Sequence, residues 1–177
     1  MKKGRFCRRY EKSDLLPALA VSVGYTVGII LLCISGGCGI IPEKNLCSVF
    51  ASDGSAVKFA HVVIRQTFFF TAVFLCGFTK TPSYICAAIV FCRSLLAGYS
   101  SALILYASAP MPLYFMHTAL SVASVIALVS SARAAISFSK AGSTDRTDVA
   151  NYASCVFFFA GIILIMTFVF NLLTFVM

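Results

Sequence analysis

The side chains able to do chemistry in this chain are few, and their positions decide more than their number. Six are acidic: Glu11, Asp14, Glu43, Asp53, Asp145 and Asp148. None falls inside the long apolar runs that make up most of the sequence. Proton-coupled carriers and metal sites within a bilayer rely on a carboxylate at depth, so neither class finds support here. Intramembrane proteases of the aspartyl or HExxH kind are excluded on the same ground. A serine–histidine pair would have to use His117, yet no GxSxG-like elbow marks a nucleophile. His117 therefore reads as an interfacial histidine near a helix end. The eight cysteines show no CxxC or Cys/His spacing of the zinc type. Cys33, Cys76, Cys86, Cys92 and Cys155 lie in apolar runs, where cysteine behaves as a small hydrophobe. Only Cys38 and Cys47 lie where an oxidising exterior could join them, and Cys7 belongs to a basic tail. No cofactor-binding motif is present, and no catalytic constellation can be assembled.

One group stands out against this background. Arg93 lies near the middle of PSYICAAIVFCRSLLAGYSSALILY, residues 82–106, a run otherwise without charge. An arginine at that depth costs about 2.5–3.5 kcal/mol on insertion scales and is expected to face protein or water. With no carboxylate of its own chain at that level, its acceptors must be backbone carbonyls, hydroxyls such as Ser94, Ser100 or Thr118, water, lipid phosphate or another protein. Two readings are open. Arg93 is either a structural group satisfied inside the chain or a contact that assembles a complex; a ligand for a substrate anion is a third, minor one. Asn171 reads as a helix–helix hydrogen-bonding group, and Arg65 as a residue able to snorkel to the headgroups.

The elements that must position Arg93 follow from hydropathy. The chain has 177 residues, 60% hydrophobic and only 11% charged, with mean hydropathy +0.95. Soluble domains carry about 25% charged residues, so this composition belongs in a membrane. The fold expected is all-α, an integral membrane bundle of about five transmembrane helices forming one domain over residues 15–177. The spans run from Leu15 to about Ile34, Val62 to Phe78, Pro82 to Tyr106, Leu113 to Ser131, and Tyr152 to the end. Between them lie an outer loop, 42–61, with an interfacial piece at Leu46, Val49 and Phe50, and a polar loop, 133–148. An uncleaved first helix fits better than a signal peptide, because its apolar stretch exceeds a signal core and lacks a clean cleavage site.

Orientation follows from charge. Net charge is +8, and six of the fourteen basic residues crowd the first twelve positions, as a cytoplasmic anchor against anionic lipid would. That clustering also makes nucleic acid a poor partner. The tail, the Lys80 turn and loop 133–148 hold six, one and three basic residues against Lys44 and Lys58 on the opposite side, with Arg65 at its border, which predicts N-inside and C-outside.

Packing signals are also legible. Gly24 and Gly28 form a GxxxG, and Ser94 and Gly98 place two small residues one turn apart, the spacing that lets helices approach closely. One helix would thus carry both a tight-packing face and a buried charge.

Gly77, Pro82, Arg93 and Gly98, read together across the middle third of the chain, resemble the signature of the stage II sporulation protein M family, with Ser94 where glycine is usual. Small size, a basic N-terminus and five spans agree with that resemblance. The family is one of non-enzymatic bacterial membrane scaffolds. The resemblance implies that this chain recruits extracytoplasmic peptidoglycan hydrolases, sporulation proteins D and P, at the septal membrane during engulfment. It would do so in the bacterial cytoplasmic membrane. Lipid is the other expected partner, and a second copy of the chain a further candidate. The competing class is a membrane subunit of a small permease, which would need a water-filled polar path near Arg93.

Overall fold

The computed structural model describes residues 12–37, 56–106, 111–142 and 145–176. Every element among them is a helix: α1 (Lys12–Gly37), α2 (Ala56–Cys76), α3 (Pro82–Tyr106), α4 (Met111–Ala141) and α5 (Arg146–Val176). Four of these are long and apolar enough to cross a membrane, and α2 has a shorter apolar stretch, Val62–Cys76. That stretch contains Arg65 and Gln66 and ends at the turn that begins with Gly77. The chain is an all-helical membrane protein.

The core is built by α2–α5. Phe70, Val73 and Cys76 of α2 meet Cys86 and Val90 of α3, Leu128, Ala132 and Ala135 of α4, and Tyr152, Val156 and Ile163 of α5. Large apolar side chains such as Phe68, Ile126, Phe157 and Ile165 point outward, as a lipid-facing surface requires. The first helix packs chiefly on α3.

Three boundaries differ from the hydropathy reading. Helix α2 begins at Ala56, so the outer loop is shorter than 42–61. Helix α4 continues through Arg133 to Ala141, where a polar loop was expected, and α5 starts at Arg146, six residues before Tyr152. Hydropathy marks where lipid ends, whereas a helix ends only where its backbone bonding ends. The extension of α4 is held by Ala132, Ala135 and Ile136, all fully buried, at helical spacing beneath the polar residues. It closes at Gly142 with φ of 60°, whose N–H donates to the Ser139 carbonyl at 3.2 Å. Asp145 then opens α5, its carbonyl accepting from the N–H groups of Asp148 and Val149. Cys38 and Cys47, the interfacial piece at 46–50 and the basic residues before Lys12 lie outside the described residues.

The turn from α2 to α3 satisfies its own backbone. Gly77, Phe78 and Thr79 donate back to Phe74, Leu75 and Cys76, and Pro82 begins α3, where its missing N–H costs nothing. Ser139 of α4 donates its hydroxyl to the Thr79 carbonyl at 2.8 Å. Tyr152 of α5 donates to the carbonyls of Phe74 (2.9 Å) and Val73 (3.1 Å), so it holds the end of α2. Its ring stacks on Phe138 at 4.7 Å and on Phe74 at 5.3 Å.

Candidate functional site

Two faces of α3 carry the residues singled out from sequence. Ser94 and Gly98, both buried, form the first. The GxxxG of α1 packs against it, and the two helices run parallel, since Gly24 lies beside Phe91 and Ser94 while Gly28 lies beside Leu95 and Tyr99. A Cβ on Gly24 would come 2.7 Å from the Phe91 carbonyl oxygen and 3.0 Å from Cβ of Ser94. A Cβ on Gly28 would fall on the Leu95 carbonyl oxygen, and one on Gly98 on the carbonyl oxygen of Tyr25. Backbone lies against backbone at all three, a separation that only glycine permits. Sequence spacing identified each small-residue pair; the structure joins them to each other. Gly77 and Pro82 belong to the turn instead. A Cβ on Gly77 would come 2.6 Å from the Tyr152 hydroxyl, so this glycine leaves room for the tyrosine that fastens α2.

The second face begins at Arg93, which is 5% exposed. Of the acceptor kinds open to it the structure shows a hydroxyl, though not Ser94, Ser100 or Thr118: its Nη2 donates to Oγ of Ser124 at 2.6 Å. Ser94 turns toward α1, about 100° around the helix, and Ser100 spends its hydroxyl on the Ala97 carbonyl. Ser124 in turn donates to the Ser121 carbonyl at 3.0 Å. Among the described residues, Nε of Arg93 has no partner. Nor do Oγ of Ser101, Oγ1 of Thr118 and Nδ1 of His117, all sealed from solvent.

Helical registry places these atoms together. Arg93, Ala97, Ser101 and Ile104 are the buried stripe of α3. On α4, His117, Ser121 and Ser124 share the face that meets it, since Ser124 touches Arg93. The result is a hydroxyl-bearing layer between α3 and α4 that encloses the Arg93 guanidinium.

Among the described residues two hollows stand out. One, of about 220 Å³, lies between α2 and α5 and is walled by Phe70, Phe74, Val156, Ala160 and Gly161 with Gln66 at its edge. The other is a shallow opening beside Arg65, Val62, Ile64 and Phe68. Arg93 lines neither. No group of three or more metal-ligating side chains occurs among the described residues.

Sequence reading missed Ser124 and Tyr152. A signal existed for the first: His117, Ser121, Ser124 and Ser131 follow at intervals of four, three and seven residues, one polar helical stripe within an apolar run. For Tyr152 there was none, because its role depends on a turn 75 positions earlier in the chain.

Fold and site together define a multi-pass helical membrane protein in which the buried Arg93 guanidinium donates to the Ser124 hydroxyl. In comparisons with known proteins, no family model, no curated protein and no solved structure matches the chain.

Proposed function

We propose that this chain is a non-enzymatic integral membrane scaffold, a bundle that holds partner proteins at the bilayer and performs no chemistry on them. The observation that carries this reading is the state of Arg93. The residue is buried, its Nη2 is engaged by Ser124, and it borders neither surface hollow. A carrier's central cation would instead meet a water-filled path.

The resemblance of Gly77, Pro82, Arg93 and Gly98 to the stage II sporulation protein M family supplies the partner class. The proposal in its specific form is recruitment of extracytoplasmic peptidoglycan hydrolases in a bacterial cytoplasmic membrane, with the N-terminus inside. Because Arg93 is enclosed, the residues that meet a partner are those on the outer rim, and Arg93 acts by fixing α3 against α4.

The test is affinity capture of the tagged full chain from membranes of its own host. Recovery of a wall hydrolase, lost when loop 42–55 is replaced by a Gly/Ser linker of equal length, supports the reading. Recovery of an ATPase in stoichiometric amount, with no wall enzyme, replaces it with the permease reading. That second reading draws on the unpartnered hydroxyls of Ser101 on α3 and Thr118 on α4.

A further inference from the structure

The groove between α2 and α5 holds a polar group that its own chain does not use. Gln66 is 3% exposed, and among the described residues its side-chain amide makes no hydrogen bond. It lines the groove with Phe70 and Phe74 of its own helix and with Val156, Ala160 and Gly161 of α5. Thr67 beside it differs, since its hydroxyl donates to the Val63 carbonyl at 2.9 Å. Gln66 lies ten residues from either end of α2, and Gly161 fifteen from either end of α5. The groove therefore sits at mid-height on both helices, where lipid offers an amide no partner and leaving it unmet is costly.

The space beside the amide is open. Its volume is about 220 Å³, a Cβ on Gly161 would have nothing within 4 Å, and Phe157, 64% exposed, forms the outer lip. A lipid acyl chain would fill that space but satisfy neither the carbonyl nor the NH₂ of the amide. A second copy docked through the same face about a two-fold axis would bring an equally recessed Gln66, and two recessed groups do not meet. A helical serine or threonine tends to spend its hydrogen on its own backbone, as Thr67 does. A protruding carboxamide both donates and accepts, so it matches Gln66 at both atoms.

We infer that the α2–α5 groove is the docking site for a transmembrane helix of another protein, which lies along the lips and inserts an asparagine or glutamine side chain to pair with Gln66. Gly161 supplies the close approach, and the amide pair supplies the specificity, as polar side chains do between helices in lipid. This contact goes beyond the scaffold reading, whose partner meets the outer rim. Loss of capture on replacing loop 42–55 and loss of contact at the groove are thus separate results.

The test replaces Phe157 with the photoreactive p-benzoylphenylalanine in the full chain, expressed in its own host, and irradiates intact membranes. The expected product is a crosslink to another protein, mapped by mass spectrometry to an apolar segment that carries asparagine or glutamine. Its yield should fall by about threefold to tenfold in Gln66→Leu, the range expected for one interhelical hydrogen bond. It should fall as far in Gly161→Leu, which fills the groove and leaves Gln66 in place. Protection of Cys86, fully buried in the fold, from a thiol dye shows that each variant is folded. Should Gln66→Leu fail that check, Gly161→Leu decides alone.

Crosslinks to lipid only, or to a second copy of this chain, overturn the proposal and assign the groove to that occupant. So does a crosslinked segment without a carboxamide, a yield unchanged in both folded variants, or no crosslink at all.

Discussion

Gly28 and Gly98 are the positions where a single methyl group should do the most damage. Converting Gly24 to Ala places Cβ 2.7 Å from the Phe91 carbonyl oxygen, so α1 must lift by about 0.7 Å to restore ordinary contact. At Gly28 and Gly98 the new carbon lands on a carbonyl oxygen of the opposite helix, and the lift must exceed 1 Å, on the order of a full van der Waals clash. A gap of 0.5–1 Å forfeits roughly a quarter to a half of each contact along the seam. Overpacking of this kind costs about 1–3 kcal/mol, while replacing helical glycine by alanine returns at most about 1 kcal/mol in propensity. Gly24→Ala should therefore come out near neutral, and Gly28→Ala and Gly98→Ala should each lose about 1–2 kcal/mol. Because one displacement relieves both clashes, the double variant should lose less than the sum. Gly161, with nothing within 4 Å of a new Cβ, is the control and should lose nothing on conversion to alanine. The assay is thermal unfolding in detergent, read by dye labelling of the buried thiols of Cys76 and Cys86. If Gly28→Ala and Gly161→Ala unfolded at the same temperature, α1 would not be seated on α3 by backbone contact, and the reasoning would fail.

Other outcomes follow from single contacts. Tyr152→Phe keeps the stack on Phe74 and Phe138 but removes the hydroxyl from two α2 carbonyls, and should lower stability by about 0.5–1.5 kcal/mol in the same assay. Tyr152→Ala also empties the space between the rings and should cost about 3–5 kcal/mol. Gly142, at φ 60°, should accept asparagine with little change, whereas Gly142→Val should lose about 1–2 kcal/mol through the left-handed backbone alone. Arg93→Leu should insert at least as well as the wild type, since it removes about 2.5–3.5 kcal/mol of insertion cost. Quantification of membrane-integrated chain by carbonate extraction checks this, and a drop in integration would show that the arginine is needed for assembly of the bundle.

How much of this could be read from sequence varies with the range of the interaction. The third helix was legible to the residue, because Pro82 starts it and the apolar run after it carries one charge. Both small-residue pairs were legible for the same local reason, a spacing of four. Their pairing was not, because α1 and α3 are separated by a whole helix that lies elsewhere, and nothing in a GxxxG names its partner. The end of α4 was misread because Arg133 and Lys140 mask the buried stripe of Ala132, Ala135 and Ile136 in any averaged hydropathy. The acceptor of Arg93 was sought among hydroxyls on its own helix or near the start of α4. Ser124 won because it lies nearly two turns beyond Thr118, on the face that α4 turns toward α3.

The account stands on the enclosure of Arg93 between α3 and α4. Cysteine substitution at 93, 97 and 101 along the buried stripe, in a chain lacking its native cysteines, tests it directly in intact membrane vesicles. Enclosure predicts that a charged, membrane-impermeant thiol reagent labels none of the three from either side. Labelling at 93 and 101 from one side would reveal a water-lined path through the bundle and contradict the scaffold reading.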